Sequence, residues 1–307
     1  MSEALNKFLI YFKKDVYSYW QLSDNKSVED FKLKKYPLSI QQRILEGHYP
    51  GTDENGIPVL EGLYHYTTIC SFGLGNWELF LDTRDEQYLD RFRAIADYLL
   101  DNISAEGAFI QAAFNRHKAG PSAMIQGEAI SVLTRMWEWS QEEKYLAAAL
   151  AALGPFQKNI DKGGIVVLVS TTGLPWYEEY TDDPLFHVLN GKMYSLWGLL
   201  DLCLISNDDK AKQLLDQGLD SLEAHLHLFD NGFWSLYWHP ENGRSYIASL
   251  MYHNLHICQL QHTYKVTQRA PLKEYADRFL AYSNSYTNRF RSGYHLLSSK
   301  LQKKLTT

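Results

Sequence analysis

Gly232-Phe233-Trp234-Ser235-Leu236-Tyr237 is the stretch that decides the fold, because its pattern of a glycine followed by a short aromatic and apolar run recurs along the chain. The other copies are Gly107-Ala108-Phe109-Ile110, Gly164-Ile165-Val166-Val167 and Gly293-Tyr294-His295-Leu296. The glycines that begin the four runs are separated by 57, 68 and 61 residues. Self-similarity at a nearly fixed period is typical of repeat architectures, so the pattern predicts a chain of equivalent units.

Two helical segments precede each of these glycines. Apolar residues in them recur at i, i+3, i+4 and i+7, which predicts helices with one apolar face. Short turns with Ser, Thr, Asp or Glu lie before the second segments, and such residues cap helix N-termini. The predicted first helices are 67–82, 124–139, 185–205 and 248–264, and the predicted second helices are 87–102, 143–160, 211–228 and 272–289.

A helical hairpin of this size cannot bury its apolar face alone and must pack on its neighbours. About four such hairpins curving into a ring predict an all-α fold, an incomplete α/α barrel or α/α toroid with short strands or β-hairpins at one mouth. Residues 1–60 are predicted to add two helices, broken around Pro37 and Gly47, and to cap the ring. Residues 61–307 then form the toroid, and the lack of a flexible linker favours one structural unit.

The composition of the 307 residues is that of a globular protein, with 45% hydrophobic and 21% charged residues. The net charge of −6 argues against nucleic acid as a partner, because binding to phosphates needs a basic face. Aromatic residues are abundant, with 21 Tyr and 8 Trp. Sugar faces stack on aromatic rings, although most of these side chains are equally expected in a helix-rich core.

Three widely spaced cysteines, Cys70, Cys203 and Cys258, indicate reduced core thiols, since the odd number and the apolar surroundings do not fit a disulfide framework. The first residues lack the pattern of a secretory signal, and no apolar run approaches the ~20 residues of a membrane span. These features predict a cytoplasmic protein without an integral membrane segment.

Three longer motifs carry a family resemblance. They are Trp-Tyr-Glu-Glu-Tyr-Thr-Asp-Asp-Pro at 176–184 with Phe-His-Val-Leu-Asn-Gly at 186–191, Ala-Met-Ile-Gln-Gly-Glu-Ala-Ile-Ser at 123–131, and Tyr-His-Asn-Leu-His-Ile-Cys-Gln-Leu at 252–260. Together they resemble the D-glucuronyl C5-epimerase family, in its helical C-terminal catalytic domain, from near residue 64 to about residue 280. The resemblance implies an isomerase that converts D-glucuronyl into L-iduronyl units of a glycan or glycan precursor, such as heparosan, without a metal or other cofactor.

The resemblance also implies roles for four residues. Glu179 and Tyr252 match the family's proton-transfer pair on opposite faces of the sugar, and Tyr180 and Tyr237 match tyrosines that hold and polarise the carboxylate. Because the ordinary pKa of tyrosine is ~10, Tyr252 needs a cationic or well hydrogen-bonded environment to act as a base, or else acts mainly as the acid. Glu179 needs a raised pKa, which a desolvated pocket beside Trp176 would provide.

One departure from the family concerns the substrate carboxylate. Where the family has Tyr-Asp-Leu-Arg, this chain has Tyr237-Trp238-His239-Pro240, so the arginine is missing from its register. Arg244 in the following loop is a candidate replacement, and an exposed loop arginine without such a role is the alternative. Arg116 and Lys118 form the best basic patch for an anionic oligosaccharide or polysaccharide, with a solvated loop as the alternative.

Further polar residues in the matching strings are candidates for sugar binding. Gln126, Glu128 and Asn190 offer hydrogen bonds, but inward-facing polar residues can equally tie the helices together. His253 and His256 have a spacing compatible with metal binding, yet structural histidines or neighbours that tune Tyr252 fit better, so no metal site is predicted. The residues predicted to bind substrate are therefore Arg244, Arg116, Lys118, Gln126, Glu128, Trp176, Asn190 and His253.

Two other functions stay open. A uronate lyase shares the fold and the C5 proton abstraction, but eliminates at C4 and forms an unsaturated product. A non-catalytic glycan-binding or assembly subunit would have kept the fold after losing the arginine. Larger family members carry a β-rich region ahead of the helices, and only about 60 residues precede the toroid here, so a shorter substrate is expected and a homodimer stays open.

Overall fold

The computed structural model describes residues 9–12, 20–24, 31–115, 117–182, 186–240 and 245–305, with side chains up to residue 298. Ten α-helices and five strands lie within these ranges. The helices are α1 Gln41–Leu45, α2 Tyr66–Thr83, α3 Glu86–Asn102, α4 Ala123–Ser140, α5 Glu143–Ala151, α6 Leu189–Ile205, α7 Asp209–His225, α8 Leu250–Thr267, α9 Ala270–Asn284 and α10 Tyr286–Leu305. The strands are β1 Val166–Leu168, β2 Pro175–Tyr177, β3 Phe186–Val188, β4 Leu236–Pro240 and β5 Tyr246–Ile247.

The four predicted hairpins are present as the pairs α2/α3, α4/α5, α6/α7 and α8/α9. Asp85 and Asp208 cap α3 and α7 by accepting hydrogen bonds from the backbone N–H groups of Gln87 and Ala211. Such caps satisfy N–H groups that a helix end leaves without partners. The acidic turns in the sequence therefore marked the beginnings of these outer helices correctly.

The helices form two concentric layers. The first helices α2, α4, α6 and α8 pack side by side in chain order, and α4 and α6 are buried around most of their circumference. The second helices α3, α5, α7 and α9 pack outside them, and α3 and α7 bury only one face. A helix that is buried all round belongs to an inner layer, whereas an amphipathic helix faces solvent on one side. The prediction of an all-α toroid is confirmed.

The contact between α4 and α6 is exceptionally close. A β-carbon built on Gly127 would lie 2.3 Å from the carbonyl oxygen of Tyr194, and one built on Gly198 would lie 2.3 Å from that of Gly127. Only glycine permits such an approach of two backbones. This contact brings the N-terminal ends of α4 and α6 together at one mouth of the ring.

Short antiparallel strands connect the hairpins at that mouth. β1 pairs with β2, and β3, β4 and β5 form a three-stranded sheet in that order. Three expectations about strand and helix limits were wrong. Gly293 lies inside α10, so the fourth run is helical. The helix expected from residue 185 begins at Leu189, because Phe186–Val188 form β3. Helix α5 ends at Ala151 because Gly154-Pro155 follows and proline cannot continue a helix.

The segment before α2 lies across all four inner helices. The carbonyl oxygen of Lys34 accepts hydrogen bonds from Trp77 in α2 and Arg135 in α4. Tyr36 packs edge-on against Trp197 in α6, and the Cys258 thiol of α8 donates to the Trp20 carbonyl. Where the structure describes residues 1–60, the helical parts are a 3-10 turn at Ile10–Phe12 and α1. A capping role and a division at residue 60 stay predictions.

The three cysteines are free thiols, with Cys70 buried and the other two half-buried. Over the described ranges, no helix has both the length and the apolar character needed to cross a membrane.

Candidate active site

A cavity of about 350 Å³ opens at the mouth where α4, α6 and α8 begin. Glu179 and Tyr252 both line it, although 73 positions separate them in the chain. Most of the remaining wall comes from the loop before α4 and the loop between β2 and β3. These wall residues include His65, Gln111, Phe114, His117, Lys118, Met124, Tyr180, Asp182, Asn190, Tyr194 and Leu255.

Glu179 is placed by the backbone of the residue before it. The Glu178 N–H donates to the Ile165 carbonyl oxygen, and the Glu178 carbonyl oxygen accepts from the Ala123 N–H, both at 2.8 Å. These bonds tie the end of β2 to the start of α4. The Glu179 carboxylate then accepts a 3.4 Å hydrogen bond from Nδ2 of Asn190, in the first turn of α6.

Burial raises the pKa of Glu179 to about 7. Hydrogen bonds from Tyr180 and Asn190 oppose the rise, and the neighbouring charge of Glu178 adds to it. Desolvation disfavours the ionised carboxylate, as expected for a side chain that is only 9% exposed. Both protonation states of Glu179 are therefore accessible near neutral pH.

Three tyrosines form a hydrogen-bonded chain that begins at this carboxylate. The Tyr180 hydroxyl donates to Glu179, and the Tyr237 hydroxyl interacts with both Tyr180 and Tyr252. The rings of Tyr237 and Tyr252 lie 4.5 Å apart between centroids. Tyr237 is buried behind the cavity wall, in β4, and Tyr252 lies in the first turn of α8, where its N–H donates to Ser249 Oγ.

The phenols of this chain hold their protons firmly. Burial raises the pKa of Tyr252 above 10, the Glu179 charge raises it further, and the hydrogen bond from Tyr237 opposes the rise. For Tyr180 the Glu179 charge is the main cause of a raised pKa, and for Tyr237 it is burial. Tyr252 is therefore a neutral phenol in the absence of substrate.

His117 and Asp182 also line the cavity, beside Tyr180. The His117 ring stacks on Tyr180 with centroids 3.8 Å apart, and its Nδ1 lies 3.1 Å from Asp182 Oδ1. The Lys118 N–H donates to Asp182 Oδ2 at 2.9 Å. Desolvation alone would raise the pKa of Asp182, but these two partners outweigh it and hold the pKa below its ordinary value. The loop before α4 is thereby fixed against the loop after β2.

A comparison with known proteins bears on this constellation. Residues 103–281 match the sequence profile of the D-glucuronyl C5-epimerase C-terminus. The chain belongs to this family. The match covers more than half of the chain and includes Glu179, Tyr180, Tyr237 and Tyr252.

Two curated relatives show how far the similarity extends. A D-glucuronyl C5-epimerase of Caenorhabditis elegans is 34% identical over 223 residues, which are 65% of this chain and 36% of that protein. An uncharacterized protein of Methanocaldococcus jannaschii is 24% identical over 199 residues, which are 59% of this chain and 63% of that protein. The chain thus spans less than two thirds of the length of either relative.

Solved structures of similar shape support the fold. Cellobiose 2-epimerase from Bacillus thermoamylovorans has a TM-score of 0.60 and 12% identity, with 93% of this chain and 88% of that chain covered. A family 105 glycoside hydrolase of C. acetobutylicum has a TM-score of 0.54 and 15% identity, with 78% and 69% covered. At these identities the likeness extends to the fold alone.

Three residues of the family motifs that were expected to bind substrate have their side chains in the core instead. Gln126 is fully buried, donates to the carbonyl oxygens of Gly107 and Ala152, and accepts from the Phe109 N–H. Its hydrogen bonds tie the first strand-like run to the hairpin α4/α5. A substrate therefore cannot reach it without breaking the core.

Trp176 and His253 also lie in the core and not on the cavity wall. Trp176 is fully buried and stacks on Phe229, so its side chain packs β2 onto the core. His253 is also fully buried, stacks on Trp234 at 3.7 Å, and is bonded through both ring nitrogens to Ser235 and Phe279. Within the described ranges, no group of three His, Cys, Asp or Glu side chains could hold a metal ion.

The remaining expected residues divide between the cavity and its surroundings. Asn190 and Lys118 line the cavity, and over the described part of the chain Asn190 Oδ1 has no hydrogen-bond partner. Glu128 is buried and lines a neighbouring cavity. Arg116 and Arg244 lie outside the described residues.

Several residues that shape the cavity were not predicted from the sequence. His117 belonged to the basic loop, but nothing in its spacing predicted that its ring would stack on Tyr180. Asp182 lies within the 176–184 motif and Gly191 ends the 186–191 motif, so those strings did contain the signal. Tyr194 lies one turn after Asn190 in α6, and this helical spacing was the available clue.

Proposed function

We propose that this chain is a carbohydrate epimerase that inverts C5 of a D-glucuronyl unit within a glycan and produces an L-iduronyl unit. Family membership supports the reaction class. The observation that carries the proposal is the placement of Glu179 and Tyr252 on the wall of one cavity, the first with a pKa of about 7 and the second as a neutral phenol. A base poised near neutral pH and a proton donor are the two groups that C5 inversion requires.

Glu179 in its ionised form removes the C5 proton. The electron pair of the broken C–H bond delocalises into the adjacent carboxylate of the sugar and gives an enolate-like intermediate. Tyr252 then donates its phenolic proton to C5 from the opposite face, which forms the new C–H bond with inverted configuration. One proton leaves and one arrives, so the reaction needs no oxidant and no reductant.

The tyrosine chain supports the second half of this sequence. After donating its proton, Tyr252 carries a phenolate charge in a buried position, which is costly without a donor. Tyr237 lies ready to donate to that oxygen, and this interaction lowers the pKa of Tyr252. Tyr237 therefore acts through Tyr252 and Tyr180, as a positioning residue.

The sugar carboxylate needs a positive partner, because its charge grows as the enolate forms. Lys118 is the cation that the described cavity wall supplies. Arg116 precedes it by two positions, and Arg244 follows β4 in the chain. We propose that these three side chains supply the positive charge, in place of the arginine missing after Tyr237.

Proton NMR in heavy water tests the proposal with glucuronyl oligosaccharides as substrates. The parent protein is expected to replace the C5 proton by deuterium and to form iduronyl signals, whereas Glu179→Gln and Tyr252→Phe lose most of this exchange. Tyr246→Phe is the matched control, because Tyr246 stacks on Trp238 in the sheet and is not part of the cavity wall.

Each other outcome identifies an alternative. An unsaturated uronate absorbing in the ultraviolet would identify a lyase. Binding of the oligosaccharide by the parent without any C5 exchange would identify a non-catalytic glycan-binding subunit. Full exchange in both variants would remove Glu179 and Tyr252 from the proton-transfer roles.

A further inference from the structure

A second cavity of about 300 Å³ adjoins the one that contains Glu179 and Tyr252. The two cavities share four wall residues, Trp20, Thr67, Met124 and Tyr194. Each has a volume at the lower end of the range of ligand pockets. The two cavities therefore lie side by side.

The N-terminal segment builds the far side of this second cavity. Arg43, His48 and Tyr49 line it, and they come from α1 and the turn after it. These residues lie outside 103–281, the part of the chain that matches the family profile. The second cavity is therefore a feature that the family match does not assign.

Glu128, which lines the same cavity as Arg43, is a buried carboxyl group short of partners. Its side chain is 2% exposed, and Oε2 has no hydrogen-bond partner among the residues that the structure describes. A buried oxygen without a partner lowers the stability of the folded protein. Such a cost is expected where a ligand supplies the missing donor.

Arg43 offers a positive charge and hydrogen-bond donors to the same cavity. Its guanidinium lies over the ring of Tyr49, 5.2 Å from the ring centroid, and the Tyr49 hydroxyl is held by Ser71. In the described part of the chain no carboxylate forms an ion pair with Arg43, which lines the second cavity. A guanidinium in this position suits a hydroxyl or an anionic group of a ligand.

We infer that the second cavity is a subsite for the sugar unit linked to the glucuronyl unit, with a hydroxyl or amino donor of that sugar on Glu128 and an acceptor group on Arg43. This inference rests on the proposed function and adds the place in the structure, the second cavity, that binds the neighbouring sugar unit. The N-terminal segment then serves as part of the substrate site in addition to its packing on the inner helices.

Calorimetric titration compares two probes, methyl β-glucuronide and a heparosan tetrasaccharide. The parent is expected to bind the tetrasaccharide at least tenfold more tightly. Arg43→Ala weakens the tetrasaccharide about tenfold more than the monosaccharide, since a hydrogen bond to a charged group is lost. Arg91→Ala is the matched control, because Arg91 also lies over a tyrosine ring but belongs to the outer helix α3.

Glu128→Leu separates a binding role from a structural one. The substitution removes a buried carboxyl at similar volume, so the variant is expected to melt at a higher temperature than the parent and yet lose tetrasaccharide affinity. Equal affinities of the parent for the two probes, or equal losses for both probes in Arg43→Ala and Glu128→Leu, would overturn the subsite. C5 exchange is scored separately: length-dependent binding without exchange contradicts the proposed function alone, and exchange without length dependence contradicts the subsite alone.

Discussion

Gly191 lies directly against the carboxylate of Glu179. A β-carbon built on Gly191 would stand 2.4 Å from Oε2 and 2.7 Å from Cβ of Glu179, and no real side chain approaches so closely. Gly191 also follows Asn190, which donates to the same carboxylate. In the first turn of α6, Asn190 thus holds the Glu179 carboxylate by a hydrogen bond. Gly191 leaves room for that carboxylate because it has no side chain.

Gly191→Ala is expected to displace the Glu179 carboxylate and to reduce C5 exchange about 100-fold, since a shift of about 1 Å in a reacting group has an effect of this size. The measurement is the exchange rate in heavy water at saturating substrate. Gly51→Ala is the matched control, because a β-carbon on Gly51 meets no atom within 4 Å. Unchanged exchange in Gly191→Ala would show that the position of this carboxylate does not limit the reaction.

The raised pKa of Glu179 predicts a pH-dependent stability difference between the parent and Glu179→Gln. The ordinary pKa of a glutamate side chain is 4.5, and the pKa of Glu179 in the folded protein is about 7, so folding disfavours the ionised form of Glu179. The resulting cost is absent below pH 4.5, grows as the pH rises towards 7, and is complete above it. Glu179→Gln should therefore gain up to about 3 kcal/mol over the parent between pH 5 and pH 9.

Chemical denaturation at several pH values measures this difference. The exposed carboxyl of Glu54 gives the control variant Glu54→Gln, for which the gain over the same range is expected to be small. A parent and a Glu179→Gln variant whose stabilities run parallel from pH 5 to pH 9 would contradict the raised pKa. The same pKa places the acidic limb of the C5 exchange profile at about pH 7.

Tyr237→Phe tests the tyrosine chain without touching the cavity wall. The variant removes the hydroxyl that now lies between those of Tyr180 and Tyr252, and the expected loss in exchange is about tenfold. Phe keeps the ring contact with Tyr252, so packing is preserved. A role in proton transfer requires a fall in kcat at unchanged KM, whereas a rise in KM alone would point to a structural role.

The sequence predicted the layered helices well because their signals are local. Apolar spacing and the acidic turns fixed the limits of α2, α3 and α4 to within about a residue. The expected strand at Gly293 failed, since α10 continues through that glycine. One glycine beside an aromatic residue does not by itself specify a strand, and the surrounding helical pattern prevailed.

The sequence predicted those residues of the candidate site that belong to the family motifs. Glu179, Tyr180, Tyr252 and Asn190 reach the cavity because each begins or precedes an inner helix, a position that the repeat pattern indicates. The direction of a side chain within a motif is decided by packing that a single sequence does not show. Gln126 and Glu128 lie two positions apart in α4, yet one ties the core together and the other faces the second cavity.

His117 holds the two loops of the cavity wall together. His117→Ala removes the ring that stacks on Tyr180 and the partner of Asp182, and kcat/KM is expected to fall about fivefold, the size of an aromatic pair contribution. His117→Phe keeps the stack and loses the hydrogen bond, so it should retain most of the activity. Both variants should raise the pKa of Asp182, since a partner that opposes its desolvation is gone. Carbon-13 NMR titration of the Asp182 carboxyl measures this shift, and equal loss of activity in the two variants would show that the hydrogen bond, and not the stack, positions Tyr180.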